Sequence, residues 1–215
     1  MASLLRWSQL RVAFVSGGKD SYYAVYRFGS VDIGLMLSYE FPRPSPHLAN
    51  AGKSIESMLL CGIPTLVARV SRGREFTETA AILRKLGVNS VVAGDVYIDD
   101  HLTYMERLAR EVGASLVEPL WGLDPTELLY RELRDGVEPL VIGADRRIAE
   151  WVGRILSPEN ADSFVELARA RGVDPLGEHG EYHTLVVNGP MHRARLSYRP
   201  LNTEDHNGYT ILKVI

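Results

Sequence analysis

The sequence has few of the features that mark several large classes of protein. Its 215 residues include a single cysteine, Cys61, so no internal disulfide can form. No apolar run approaches the roughly 20 residues of a membrane-spanning helix, and the first residues lack a secretory pattern. A formal net charge of −3 offers no electrostatic footprint for tRNA or DNA, so nucleic acid is not an expected partner. These absences favour an ordinary globular protein of the cytoplasm, with no membrane partner.

Glycine and small polar residues are concentrated in one short segment near the N-terminus. It consists of Ser16, Gly17, Gly18, Lys19, Asp20 and Ser21. A predicted strand over 12–15 precedes it and a predicted helix over 22–28 follows it. Glycines in such a turn bring backbone N–H groups close to a ligand, and the helix start adds positive potential. The lysine adds a mobile charge and the serines add hydroxyl groups. We therefore expect these six residues to bind the phosphates of a nucleotide.

This segment matches neither of two familiar phosphate-binding motifs. A Walker P-loop needs glycine and Ser or Thr where this sequence has Ala13 and Asp20. The dinucleotide fingerprint needs a third glycine, which is absent. The segment is similar instead to the PP-loop of the ATP pyrophosphatases, which cleave ATP between the α and β phosphates. The alternative is a glycine turn that binds nothing.

Alternating strands and helices in the first half predict a doubly wound α/β fold with a parallel sheet. Ligands of such sheets bind beyond the carboxyl ends of the strands. The segment 16–21, a proline-rich loop over 40–46 and the pair Gly94-Asp95 all lie at that edge. Gly94 and Asp95 are therefore candidate nucleotide-binding residues, although Gly-Asp is equally an ordinary turn. A helix is predicted over 47–60.

A break in this alternation at Glu118-Pro119 predicts a domain boundary. We expect an ATP-binding domain over 1–118 and a smaller α+β substrate domain over 119–215. In the second part, Asn188-Gly189 predicts a hairpin turn, and strands are predicted over 193–198 and 209–214.

A loop of glycines and acids precedes that turn. It runs Gly177-Glu178-His179-Gly180-Glu181-Tyr182-His183-Thr184. Its glycines permit tight turns, which would let Glu178 and Glu181 approach one site. Paired carboxylates can hold Mg²⁺, orient an amine or accept its proton. The alternative is a loop of solvated acids that leads into a strand.

Three ordered motifs resemble those of one family. They are SGGKDS at 16–21, PLWG at 119–122 and GEHGEYHTLVVNGP at 177–190. They are similar to motifs of the diphthine–ammonia ligase family of N-type ATP pyrophosphatases, and the resemblance covers nearly the whole chain. It implies a PP-loop fold of the adenine nucleotide alpha hydrolase type with ATP and Mg²⁺ as cofactors. It also implies a ligase that adenylates a carboxylate, after which ammonia displaces AMP. The catalytic residues implied are Lys19, Asp20, Glu178, Glu181 and His183, and the Mg²⁺ ligands implied are Asp20 and Glu181.

The sequence also departs from this family. Where the family has Ser-x-Tyr-Gln-x-x-Arg after the fourth strand, this chain has His101 and Tyr104, and His183 replaces a glutamate. An imidazole can pair with an acidic acceptor that a glutamate would repel. The chain therefore resembles a divergent branch that keeps ATP activation. We expect its acceptor to be a protein or a small carboxylic acid: either diphthine, the modified histidine of elongation factor 2, bound in a different way, or a related acid.

Two other functions are compatible with a PP-loop. Enzymes that thiolate tRNA commonly need a cysteine pair or an RNA-binding domain, and Cys61 with an acidic chain counts against that function. A non-catalytic ATP-binding protein would not require Lys19, Asp20 and the glutamate pair. No glutaminase module is evident, so the ammonia is free or is supplied by a partner. The sequence does not decide between a monomer and a homodimer. His47 and His206 are interpreted as surface residues, and Cys61 as a core residue.

Overall fold

The structure is a computed structural model that describes residues 9–39 and 44–215. Part of the predicted proline-rich loop, residues 40–43, lies outside the described residues.

The first half of the chain builds a parallel sheet. In chain order its described elements are β1 (Leu10–Phe14), α1 (Lys19–Phe28), β2 (Ile33–Ser38), α2 (Pro46–Ala49), α3 (Ala51–Leu60), β3 (Thr65–Arg69), α4 (Glu75–Leu86), β4 (Val88–Val92), α5 (Asp99–Val112) and β5 (Ser115–Val117). The strands are ordered β3-β2-β1-β4-β5, and every described pair is parallel. Strands β2 and β3 lie on one side of β1 and strands β4 and β5 on the other, so the topological switch point lies between β1 and β4. A ligand crevice is expected there.

The second half builds an antiparallel sheet. Its elements are α6 (Pro125–Arg134), β6 (Glu138–Asp145), a 3₁₀ turn (Ala149–Trp151), α7 (Ala161–Ala170), β7 (Tyr182–Asn188), β8 (Pro200–Asp205) and β9 (Tyr209–Val214). The strand order is β7-β6-β9-β8. The predicted fold class, a doubly wound parallel sheet followed by a smaller α+β part, is confirmed. The predicted division after residue 118 stays a prediction.

Alternation along the strands sends side chains to different cores. Val12 of β1 packs with Leu83 of α4 and Leu108 of α5, whereas the next residue, Ala13, faces α1. The core on the α1 face continues into the second half, where it includes Phe164 of α7. Burying a side chain of that size contributes about 1.5–3 kcal/mol. Helix α1 is therefore fixed between the two sheets, and its first residues lie where both halves meet.

The predicted helix over 47–60 is wrong as a single helix. Helix α2 ends at Ala49 and α3 begins at Ala51. Asn50 between them has φ −116° and ψ 22°, and its side chain bonds to β9 rather than projecting from a helix. A contact with a strand about 160 residues away therefore breaks the helix.

The predicted hairpin at Asn188-Gly189 and the predicted strand over 193–198 are also wrong. Gly189 lies against Tyr22, and within 193–198 only Leu196 is buried. The hairpin forms instead between β8 and β9, at Asn207-Gly208. Both residues of that turn have positive φ, 57° and 85°, as expected of a type I′ turn.

Candidate active site

The glycine-rich segment forms a tight loop between β1 and α1, as predicted. Gly17 has φ +82°, and a Cβ atom there would lie 2.7 Å from Oγ of Ser54 in α3, so only glycine fits. Ser16 Oγ accepts a hydrogen bond from Gly18 N at 3.2 Å, and Ser21 Oγ donates to Gly18 O at 3.1 Å. The loop is therefore preorganised by its own hydroxyl groups.

A cavity of about 450 Å³ opens at this loop. Its walls come from the ends of β1, β2 and β4, from α5 and from the acidic loop of the second half. Of the residues predicted from the sequence, those that line it are Ser16, Gly18, Lys19, Asp20, Ser21, Gly94, Asp95, Glu178 and His183. Gly17 and Glu181 do not line it. The structure thus brings most of the predicted site together from both halves of the chain.

The two halves bond to each other directly beneath the cavity. Lys19 N donates to Thr184 Oγ1 at 3.1 Å, and Val186 N donates to Gly17 O at 2.9 Å. Strand β7 therefore runs against the PP-loop and places the preceding acidic loop over it.

Lys19 differs from the mobile phosphate ligand that its position predicts. Its side chain is 1% exposed, and Nζ donates to Asp20 Oδ1 at 2.5 Å and to Leu176 O at 3.0 Å. Burial lowers the pKa of the ammonium, but the neighbouring acidic groups, Asp20 first, raise it well above its usual value. Lys19 is therefore a buried cation that fastens the acidic loop to α1.

Glu132 of α6 lies next to this cation. It is completely buried, with Oε2 3.8 Å from Lys19 Nζ, and neither carboxyl oxygen has a hydrogen-bond partner within 9–39 and 44–215. Burial raises its pKa well above the usual range, against the opposing effect of Lys19. Glu132 was not predicted from the sequence, because a glutamate on an amphipathic helix gives no signal of burial.

Two more carboxyl groups near the cavity hold protons unusually strongly. Burial, and then the charge of Asp20, raise the pKa of Glu178 to about 7. Burial, and then the charge of Asp95, raise the pKa of Glu118 to about 8. Glu118 Oε2 also accepts a hydrogen bond from Asp95 N at 3.2 Å. Glu178 is therefore able to accept or donate a proton near neutral pH.

Glu178 lines the cavity and Glu181 does not, and the predicted roles of Glu181 as a catalytic residue and Mg²⁺ ligand stay predictions. Its carboxylate accepts hydrogen bonds from Asp174 N at 3.3 Å and from His179 N at 3.1 Å. Asp174 in turn accepts from Glu178 N at 3.0 Å. The carboxylate of Glu181 is hydrogen-bonded to backbone N–H groups of the acidic loop. Glu181 therefore stabilises the conformation of the loop that carries Glu178.

Three histidines lie around the cavity. His183 lines it and meets His47 edge to face, with ring centroids 5.0 Å apart. His101 Nδ1 is 3.2 Å from Asp95 Oδ1, and that contact raises the pKa of His101. The interpretation of His47 as a surface residue is wrong, because it lines the cavity. The sequence did contain a signal for this position, because His47 follows β2 and the carboxyl ends of parallel strands face the ligand.

The described residues contain neither a preformed metal site nor a helix able to span a membrane. Within 9–39 and 44–215, no three His, Cys, Asp or Glu side chains converge closely enough to hold a metal ion. A Mg²⁺ ion would therefore take one or two carboxylates and complete its shell with phosphate oxygens and water, as Mg²⁺ commonly does. No described helix is long and apolar enough to cross a membrane.

Comparisons with known proteins match the two halves of the chain separately. The model of the diphthamide synthase N-terminal domain matches residues 10–116, and that of the C-terminal domain matches residues 124–214. A search of curated proteins found no match.

Two solved structures are similar at low identity. One is a predicted subunit of tRNA methyltransferase from Methanocaldococcus jannaschii, with TM-score 0.41 and 15% identity over 84% of this chain and 97% of that chain. The other is the structure of the U34-tRNA thiolase NcsA from Methanococcus maripaludis with its [4Fe-4S] cluster. Its TM-score is 0.37 and its identity is 12%, over 80% of this chain and 71% of that chain. Both TM-scores are low, so the family assignment depends on the two family models.

Proposed function

Because the chain belongs to the diphthamide synthase family of PP-loop ATP pyrophosphatases, we propose that it is an ATP-dependent amide ligase. It adenylates the carboxylate of an acceptor with release of pyrophosphate, and ammonia then replaces AMP to give an amide. ATP and Mg²⁺ are its cofactors, and the acceptor is a cytoplasmic protein or small carboxylic acid.

One observation carries this proposal: the PP-loop and the acidic loop of the second half line the same cavity. Adenylation requires that the acceptor carboxylate be held in line with the α-phosphate of ATP, so two substrates must share one site. A protein that only bound ATP would have no use for Glu178, a carboxyl group with a pKa of about 7, opposite the phosphate loop.

In the first step the PP-loop holds the phosphates. The positive potential at the start of α1 attracts them, and the hydroxyl group of Ser16, which accepts from Gly18 N, is able to donate its own hydrogen to a phosphate oxygen. An oxygen of the acceptor carboxylate attacks the α-phosphorus, and the bond from that phosphorus to the bridging oxygen breaks, which releases pyrophosphate. Mg²⁺, held by Asp20 together with phosphate oxygens, would neutralise part of the negative charge.

In the second step ammonia reacts with the acyl adenylate. The nitrogen forms a bond to the acyl carbon, and the bond to the AMP oxygen breaks. Ammonium must lose one proton to become a nucleophile, and the nitrogen loses a second proton when the amide forms. Glu178 accepts one of these protons because its pKa lies near neutrality, the other passes to water, and the nearby carboxylates attract ammonium.

The histidines at the cavity are proposed to select the acceptor. His183 lines the cavity, and His101 extends towards Asp95 at its edge. Contact with Asp95 raises the pKa of His101, which favours the imidazolium form. An imidazolium there attracts an acidic acceptor.

The environment of Cys61 counts against thiolation of tRNA. Cys61 Sγ lies 3.6 Å from His192 Nδ1 and does not line the cavity. Burial raises the pKa of its thiol to about 12, so the reactive thiolate is scarce at neutral pH.

The test is incubation with ATP, Mg²⁺, ammonium and candidate acceptors. AMP and pyrophosphate should appear in equal amounts, and only when an acceptor is present. Glu178→Gln should lower amide formation by about a hundredfold or more while acceptor-dependent exchange of pyrophosphate into ATP persists. The matched control is Glu166→Gln, which changes an exposed residue of α7. Production of ADP and phosphate without AMP would contradict the proposal.

A further inference from the structure

His47 lies against the PP-loop, but the reaction proposed above does not use it. It belongs to α2, and its ring lines the nucleotide cavity. A Cβ atom placed on Gly18 would lie 3.0 Å from Cε1 of His47 and 3.4 Å from Thr184 O. The imidazole therefore packs directly on the glycine that precedes the first residue of α1.

The two ring nitrogens of His47 are in unequal environments. Against the larger effect of burial, a hydrogen bond with the backbone of Ser16 raises the pKa of the ring, as a carbonyl acceptor does. Since Nδ1 has no partner among the described residues, we assign this bond to Nε2–H. Nδ1 is shielded from solvent and has no hydrogen-bond partner within 9–39 and 44–215. A buried polar atom without a partner is costly and calls for an explanation. In the neutral ring, Nδ1 presents a lone pair.

The groups around His47 keep its imidazole neutral when no ligand is bound. Burial, and then the neighbouring His183 from β7, lower its pKa to about 3. From α1, Lys19 and Asp20 line the same cavity, but they are paired with each other. From β9, Tyr209 lies against His183, with ring centroids 6.2 Å apart. None of these contacts supplies an anion to His47.

We propose that His47 is a phosphate-binding residue of the nucleotide site. When a polyphosphate occupies the PP-loop, Nδ1 of His47 takes up one proton from solvent and donates a hydrogen bond to a phosphate oxygen. This inference rests on the proposed use of ATP. An anion in the cavity that the PP-loop and His47 both line lies next to the ring that packs on Gly18. Its oxygens would repel a lone pair on Nδ1 but attract an N–H group, so binding favours the imidazolium.

The experiment measures proton uptake on binding. Pyrophosphate and ATP, each with Mg²⁺, are titrated calorimetrically at pH 7 in two buffers that differ in ionisation enthalpy. The wild type should take up more protons than His47→Gln by as much as one per site. Comparing the two proteins with one ligand cancels the protons that the ligand itself exchanges. Loss of a charge-assisted hydrogen bond should also weaken binding by about tenfold or more.

Controls separate this role from a structural one. His206→Gln changes a histidine in the β8–β9 turn, outside the cavity, and should bind like the wild type. His47→Asn serves as a second variant, and circular dichroism confirms that both variants fold. Equal proton uptake by the wild type and both His47 variants would overturn the inference while leaving the proposed function intact. Failure of the wild type to bind ATP would overturn both.

Discussion

Carboxyl groups around the cavity keep their protons at pH values where exposed carboxyl groups have lost theirs. Burial is the main cause for Glu118, Glu132 and Glu178, and neighbouring acids add to it. This arrangement suits acid–base chemistry near neutral pH. It also has a consequence for stability, because a carboxyl group that binds its proton more tightly when folded disfavours folding once that proton is lost.

Glu118 allows this consequence to be measured. Its pKa is about 8 in the folded protein, against an ordinary value of 4.5. Between those values the folded state holds a proton that the unfolded state has lost, so the stability contributed by Glu118 falls as the pH rises from about 4.5 to 8. Glu118→Gln keeps an oxygen for Asp95 N but cannot ionise. Its melting temperature should therefore rise relative to the wild type between pH 5 and pH 8.

The comparison between variants isolates Glu118 from groups that act in the opposite direction. His47 and His192 have pKa values lowered to about 3 and 4, and each favours folding as the pH rises towards neutrality. The control Glu106→Gln changes an exposed residue of α5 and should follow the wild type at each pH. Parallel melting curves for Glu118→Gln and the wild type would show that Glu118 ionises normally.

Among the elements, those with local determinants could be predicted from the sequence to the residue. Helices α4 and α5 end where Gly87 and Gly113 adopt left-handed φ values of 69° and 72°. Helix α6 begins at Pro125 after Asp124, whose side chain accepts from Glu127 N. In each case neighbouring residues determine the boundary, so the sequence contains the information.

Elements that depend on distant contacts could not be predicted in this way. The dipeptide Asn-Gly occurs at 188–189 and at 207–208, yet only the second makes a hairpin. Gly189 instead packs against the ring of Tyr22 in α1, where a Cβ atom would lie 2.6 Å from the Tyr22 hydroxyl oxygen. The candidate site shows the same division. The motifs identified most of the cavity residues, but the direction of Lys19 and the role of Glu181 depend on how the second half packs.

The acidic loop is an element whose shape depends on Glu181. Glu181→Gln keeps one acceptor oxygen but places an amide where the N–H group of Asp174 or His179 now donates. We expect kcat for amide formation to fall about tenfold, with little change in KM for ATP, because the PP-loop is untouched. Since Glu181 acts through the loop that carries Glu178, combining Glu181→Gln with Glu178→Gln should cost little more than Glu178→Gln alone. Independent, multiplicative losses in kinetic assays would contradict this positioning role.

At the scale of the whole molecule, the two sheets are joined by buried polar contacts as well as by a shared core. Ser57 Oγ of α3 donates to Val186 O of β7 at 2.7 Å. Asn50, 2% exposed, donates from Nδ2 to Pro46 O at 2.9 Å and to Leu212 O at 2.8 Å, and its Oδ1 accepts from Val214 N at 2.8 Å. The chain therefore satisfies backbone groups of one half with side chains of the other. Separating the two halves would replace these hydrogen bonds by bonds to water.

Asn50→Ala tests whether the halves unfold together. The substitution removes three hydrogen bonds and leaves buried backbone groups without partners, which should cost about 3 kcal/mol. For a chain of this size that lowers the melting temperature by roughly 6–12 °C. If unfolding is cooperative, hydrogen exchange of the slowest amides in β1 and in β9 should accelerate by the same factor, roughly a hundredfold.

The matched control Asn202→Ala, on exposed β8, should change stability by less than about 0.5 kcal/mol. Faster exchange in β9 with β1 unchanged would show that the second half opens alone and would support an independent domain after residue 118. Equal acceleration would instead mean that the nucleotide cavity, formed by both halves, is lost only when the whole chain unfolds.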